Sequence, residues 1–214
     1  MTTISFIGDV HAEYDKYLSL IDDCEYSLQL GDFGLSYKLG EEIDTQRHRF
    51  IPGNHEGYPR LMQRKLDGWK FPVENDYGIL SLGGAEIMYV RGGYSVDRMY
   101  RRPGVDWFPE EELSTNELRT MIETLSPQKV KIAASHECPA FAAEELFVEN
   151  PALIVKFGPY RPSRTAQALE ELFEKLEPKP KLWIFGHHHV PFDQVIRGTR
   201  FVCVDIMERF DWFV

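Results

Sequence analysis

The chain alternates short apolar runs with segments of helical spacing. Ile4 to Gly8 (ISFIG) is an apolar run that ends in Gly-Asp and suits a buried strand. Tyr14, Tyr17, Leu18 and Ile21 then recur along one helix face. Tyr26 to Leu30 (YSLQL) again runs into Gly-Asp, and Arg49 to Ile51 leads into Pro-Gly-Asn-His-Glu. Residues 78–92 predict a hairpin broken at Gly83-Gly84. Ser114 stands three residues before Glu117, a capping-box spacing, and Leu118, Met121, Ile122 and Leu125 form the apolar face that follows. Val130 to Ala134 predicts a strand that runs into Ser-His-Glu. Ala168/Leu169, Leu172/Phe173 and Leu176 mark a last amphipathic helix, stopped by Pro178 and Pro180. Lys181 to Phe185 (KLWIF) is a further strand, and residues 192–206 read as a closing hairpin turning near Arg197-Gly198-Thr199.

No repeat, low-complexity tract or linker-like stretch interrupts this pattern, so a single domain over residues 1–214 is the simplest organisation. The composition, 43% hydrophobic and 27% charged, is that of a soluble globular protein. There is no apolar run long enough for a membrane span, and the first ten residues lack the features of a signal peptide, so a cytoplasmic location is expected. Cys24, Cys138 and Cys203 form no C-x-x-C pair and are expected to be reduced and mostly buried. The formal net charge of −10 argues against an extended nucleic-acid or anionic-membrane surface. It leaves room for a local basic pocket around one phosphate group.

Polar residues punctuate the strand ends, where α/β proteins gather their ligands. In order they are Gly-Asp-Val-His (8–11), Gly-Asp-Phe-Gly (31–34), Gly-Asn-His-Glu (53–56), Ser-His-Glu (135–137) and Gly-His-His-His (186–189). Of seven histidines, five belong to this series if one of the triplet is set aside; His48 and His188 are the remainder. In an extended segment Asp9 and His11 leave the same side of the chain and can grip one divalent cation. The same alternation pairs His187 with His189 and sends His188 the other way. Glycine before Asp9, Asp32, Asn54 and His187 permits the close backbone approach of a crowded centre. The donors are two carboxylates, an amide oxygen and several imidazoles, with no thiolate, which suits Mn, Fe, Co, Ni or Zn better than a structural zinc site. They are too many for one ion and about enough for two, and a two-ion centre points to hydrolysis at phosphorus.

These motifs, in this order along one chain, resemble the calcineurin-like metallophosphoesterase superfamily, particularly its small bacterial and phage-type members. The resemblance implies an α/β fold, a four-layer α/β/β/α sandwich of two mixed β-sheets flanked by helices, with the metals at the strand ends. It implies that Asp9, His11 and His189 hold one metal, that Asn54, His136 and His187 hold a second, and that Asp32 bridges both. His55 matches a histidine that is not a ligand and that protonates the leaving oxygen or stabilises the transition state. A metal-bridging hydroxide is then the nucleophile, and the cofactors are two divalent ions, manganese first, with Fe, Ni, Co or Zn as alternatives. The expected reaction is hydrolysis of a phosphate mono- or diester of a small phosphorylated substrate, a nucleotide among them. Rival readings are a nuclease, a protein phosphatase, or a non-catalytic scaffold of the same fold. The protein phosphatases continue their second motif with an Asp that orients the catalytic His and an Arg that contacts phosphate; here the sequence is GDFGLSY. Glu56 is a candidate for that orienting role.

Residues 91–114 resemble a segment shared by small bacterial and phage metallophosphoesterases. Arg98, Arg101 and Arg102, with Tyr94, Tyr100 and Trp107 nearby, form either a phosphate-and-ring pocket or surface charge with packing aromatics. His188 reads as a loop or wall residue that can line the substrate cleft. Cys138 reads as buried and inert rather than as a ligand, the Glu110–Glu112 run as a helix start or solvated face, and Arg47-His48-Arg49 as a solvated stretch.

Overall fold

A computed structural model describes residues 2–34 and 43–214. The first half of the chain comprises β1 (Thr3–Ile7), α1 (Tyr14–Ile21), β2 (Tyr26–Gln29), β3 (His48–Phe50), α2 (Tyr58–Leu66), β4 (Tyr77–Leu82) and β5 (Ala85–Val90). Then follow α3 (Thr115–Leu125), β6 (Ile132–Ser135), α4 (Ala140–Glu149), α5 (Pro151–Phe157), α6 (Arg164–Lys175), β7 (Leu182–Phe185), β8 (Phe192–Ile196), β9 (Thr199–Cys203) and β10 (Arg209–Phe213). The strands form a four-stranded sheet in the order β10-β1-β2-β3 and a six-stranded sheet in the order β4-β5-β6-β7-β9-β8. In each sheet the inner strands run parallel; antiparallel strands close both edges of the larger sheet, β4 on β5 and β8 on β9, and one edge of the smaller, β10 on β1, whose other edge β3 runs parallel to β2.

Three apolar layers hold the stack. Ile4, Phe6, Leu28 and Leu30 of the smaller sheet meet Ile87, Ile132, Leu182 and Ile184 of the larger one. On the outer face of the larger sheet, Trp183 and Phe201 pack under Met121, Leu146, Leu169 and Phe173 from the helices. On the outer face of the smaller sheet, Phe50 packs with Tyr17 of α1 and Leu61 of α2. The order is therefore helix, sheet, sheet, helix, with each sheet buried on both faces. That is why β6 and β7 read as near-continuous apolar runs rather than alternating ones. The predicted capping box closes in both directions, with Ser114 and Glu117 each bonding the other's backbone N–H at the start of α3.

Some elements differ from the sequence reading. The hairpin after residue 192 turns at Arg197-Gly198, as expected, but its second strand inserts between β7 and β8 and runs parallel to β7. His48 is buried in β3 with its Nδ1 2.9 Å from Ser27 Oγ, because β3 pairs directly with β2; Arg47 is exposed and Arg49 half-buried, so only the histidine departs fully from a solvated stretch. α2, α4, α5 and β10 are not among the elements read from the sequence; Pro59 in the first turn of α2 and Pro151 in the first turn of α5 are local cues to a helix start. All three cysteines are free and buried. No helix among the described residues is long and apolar enough to cross a membrane.

Candidate metal centre

Five strands deliver the motifs to one place. β1 leads to Asp9, β2 to Asp32, β3 to Asn54, β6 to His136 and β7 to His187. The loops are braced on one another: His11 N–H donates to the Asp32 carbonyl at 2.7 Å, and His187 N–H lies 3.2 Å from both Asp9 carboxylate oxygens. A Cβ at Gly53 would overlap the Asp32 carboxylate, and one at Gly186 would overlap that of Asp9. Only glycine permits these approaches.

The seven expected ligands fall into two groups that share Asp32. In the first, Asp9, His11, Asp32 and His189 each place a donor atom within 4.8 Å of the others. His189 Nε2 sits 2.7 Å from Asp9 Oδ2 and 3.0 Å from His11 Nε2. In the second, Asn54 Oδ1 lies 2.8 Å from His136 Nε2 and 2.9 Å from His187 Nδ1. Those two nitrogens are 3.2 Å apart, and His136 Nε2 is 3.3 Å from Asp32 Oδ1. Asp32 stands between the groups, with Oδ2 3.8 Å from His11 Nε2.

This donor set fits a pair of cations. Asp32 Oδ2 is buried and has no hydrogen-bond partner. His136 Nδ1 lies 2.8 Å from the Leu30 carbonyl, which can only accept, so Nδ1 carries the proton. Its Nε2 then offers a lone pair to the centre unless a second proton charges the ring. Without a positive charge there, that lone pair would face the Asn54 oxygen. Burial alone would raise the Asp32 carboxyl, but the imidazoles of His136, His55 and His11 and the His55 N–H hold it well below the usual carboxylate range. Burial lowers His136 and His189, but the carboxylates of Asp32 and Asp9 raise both overall. Net attraction between these imidazoles and carboxylates is what a cation pair would take over.

His55 stands apart from both groups. Its backbone N–H donates to Asp32 Oδ1 at 2.7 Å, while its ring reaches the mouth of the site, 31% exposed and 5.4 Å from the His11 ring. The carboxylate near it is Asp97, with Oδ2 3.9 Å from His55 Nε2. Glu56 is placed differently. Fully buried, it accepts N–H groups from Phe33, Gly34 and Gly53 and so braces the second and third motifs against each other. The continuation of the second motif, Leu35 to Tyr37, lies outside the described residues.

Of the expected substrate contacts, Arg98 is exposed, 5.4 Å over the Tyr94 ring. It lines a cleft of about 240 Å³ with Tyr94, Trp107 and Arg164. Gly93, on the wall of this cleft, approaches the rings of His136 and His187. The other two residues turn inward. Arg101 is bound to Ser95 at 2.7 Å, to Glu111 at 2.8 Å and to the Asp106 carbonyl. The His188 ring faces Cys138, Phe147 and Phe185, and burial lowers its imidazole well below the ordinary value. His188→Ala should therefore leave metal content unchanged while lowering stability by about 1–3 kcal/mol; elemental analysis and thermal unfolding check both, and depleted metal would refute the placement.

Sequence reasoning missed Ser95, Asp97, Glu111 and Glu137. Glu137 lies 3.7 Å from His187 Nε2, the ring nitrogen turned away from the centre, and accepts Ser163 Oγ at 3.0 Å. Only its position beside His136 marked it. Glu111 is buried because Ser95 and Arg101 satisfy it; the run Glu110–Glu112 reads as a helix start or solvated face, and Pro109–Glu111 do form a short 3-10 turn.

Residues 2–191 match the family described as calcineurin-like phosphoesterase. No curated protein matches the sequence significantly. Among solved structures, the fold is similar to phosphopantetheinyl hydrolase from Mycobacterium tuberculosis at TM-score 0.53 and 14% identity, covering 96% of this chain and 90% of that one. It is similar to a hypothetical protein from Thermus thermophilus at TM-score 0.52 and 17% identity, covering 95% and 75%. A putative 5'-nucleotidase from Staphylococcus aureus is similar at TM-score 0.56 and 13% identity, with 98% of this chain spanning 51% of that one. At these identities the likenesses speak for the fold alone, and the family match covers most of the sequence, including all five motifs. The chain belongs to the calcineurin-like phosphoesterases and is a metal-dependent hydrolase of phosphoric esters.

Proposed function

We propose that this protein hydrolyses phosphate mono- or diesters of a small phosphorylated substrate, a nucleotide among the candidates, at a two-metal centre. The observation that carries the proposal is the sharing of Asp32 by two convergent donor groups, one on each of its carboxylate oxygens. Asp9, His11 and His189 hold the first ion, Asn54, His136 and His187 hold the second, and Asp32 binds both. Bound there, two divalent ions, manganese first, supply Lewis acidity to the phosphoryl oxygens and an activated water. The protein does the rest. The inner carboxylates are buried and fix the ligand positions before substrate arrives. His55, exposed at the mouth and outside both donor groups, is placed to give a proton to the leaving oxygen.

Substrate size follows from the cleft beside the centre. Its volume of about 240 Å³ takes one ring or short chain, and Arg98, Arg164, Tyr94 and Trp107 offer cationic and aromatic contacts. The net charge of −10 argues against an extended polynucleotide track. Protein loaded with Mn²⁺ should carry close to two ions per chain. It should also cleave chromogenic mono- or diesters and nucleotides faster than single-stranded DNA. Metal content near zero would sink the two-ion reading, and preference for the DNA would sink the small-substrate reading.

A further inference from the structure

The segment between β5 and α3 crosses the second donor group, and its polar residues form a closed hydrogen-bond circuit. Asn54 Nδ2 donates to Ser95 Oγ at 2.9 Å, and Arg101 Nη1 donates to the same oxygen at 2.7 Å. Ser95 Oγ donates its one proton to Glu111 Oε2. Glu111 Oε1 in turn accepts from Arg101 Nη2 at 2.8 Å and from the Phe108 N–H at 3.1 Å. Asn54, Ser95 and Glu111 are all buried at 3% exposure or less, so water does not complete these bonds.

Counting donors and acceptors decides which way the Asn54 amide points. A serine hydroxyl has one proton and two lone pairs. Its proton is committed to the Glu111 carboxylate, and one lone pair is taken by Arg101. The remaining lone pair demands a donor, so the NH₂ end of Asn54 must face Ser95 and the oxygen must face His136 and His187. Turned the other way, the amide would put its oxygen against Ser95 Oγ with no proton between them. Its NH₂ would then donate to His136 Nε2 and His187 Nδ1, filling the position a cation needs. The metal-free centre favours that reversed amide, and the circuit opposes it.

We propose that Ser95, held by Arg101 and Glu111, is a positioning residue that locks the Asn54 amide and thereby sets the affinity of the second metal position. Arg101 is then a strut of the centre rather than a contact for substrate phosphate. The inference rests on the two-metal reading above. Burial pushes the Glu111 carboxyl up to about 7, against the pull of Ser95 and Arg101, so the circuit is complete above that pH.

The test is a titration of full-length metal-free protein with Mn²⁺ at pH 8, followed by calorimetry and by the Mn²⁺ EPR signal. Wild type should bind two ions. Ser95→Ala should bind the first with unchanged affinity and the second about 10–100-fold more weakly, the usual effect of removing a partner that orients a ligand. Ser95→Thr and Ser95→Val have nearly the same shape and differ in the hydroxyl, so they settle the matter even if the alanine variant folds poorly. The threonine variant should retain the second site and the valine variant should lose it. Equal second-site affinity in the threonine and valine variants, or in Ser95→Ala and wild type, would overturn the proposal while leaving the two-metal centre standing. A wild type that binds no Mn²⁺ would overturn the centre itself.

Discussion

Asp32→Asn should bring the Mn²⁺ stoichiometry down from the proposed two ions to at most one, with turnover lower by on the order of 10³-fold. The direction comes from the two faces of the carboxylate. Oδ1 accepts the His55 backbone N–H at 2.7 Å, and that buried donor will keep an oxygen in an isosteric amide. The NH₂ group is therefore forced into the position of Oδ2, which faces His11 and has no hydrogen-bond partner. An amide nitrogen offers no lone pair to a cation. The Asp9, His11 and His189 group thus loses its shared donor, while the Asn54, His136 and His187 group keeps an oxygen. The imidazoles and the His55 N–H that hold the Asp32 carboxyl low also stabilise its charge in the fold, so the metal-free variant should unfold at a lower temperature than wild type at neutral pH. Elemental analysis after Mn²⁺ loading reads the stoichiometry. Two ions at wild-type affinity would mean that Asp32 does not bridge.

Such a centre was largely legible in the sequence because its residue types are rare and most stand directly after glycines at strand ends. Asp9, Asp32, Asn54 and His187 follow that rule, and His136 differs only in following a serine. The structure brings all five together with His11 and His189. Strand alternation does not bring His187 and His189 together. The triplet is not extended: His187 has φ 69° and His189 φ 54°, and Asp32 and His11 are also left-handed at 53° and 46°. These non-glycine conformations cost about 1–3 kcal/mol each and persist where surrounding structure over-determines them. No single-residue pattern announces them, because the strain is imposed by loops from five different strands. The circuit around Ser95 was illegible for a related reason. Arg101 reads as a phosphate contact and Glu111 as solvated until the fold buries them against each other. Polar residues whose partners are distant in sequence carry no local signature, whereas a capping box such as Ser114 with Glu117 does.

His55→Ala should keep both ions and lose turnover by about 10²–10⁴-fold, the range expected for a positioned proton donor. Metal content should survive because the centre uses the backbone N–H of His55, which alanine retains, and no ring nitrogen of His55 belongs to either donor group. The ring occupies the mouth of the site beside His11, and Asp97, 3.9 Å from Nε2, can steady it when it is charged. Burial and, more weakly, Arg101 lower the His55 imidazole below its ordinary value, with Asp32 opposing them. A lowered value makes the proton easier to give while leaving fewer rings protonated near neutral pH, and the help of a proton donor matters most when the departing oxygen is strongly basic. The loss should therefore be largest for an alkyl phosphate ester and smallest for 4-nitrophenyl phosphate, whose leaving group departs without protonation. Single-turnover rates for the two ester types, measured with metal content on the same samples, make the comparison. Equal losses would assign His55 to charge stabilisation instead of proton transfer. Loss of metal together with turnover would place it among the ligands.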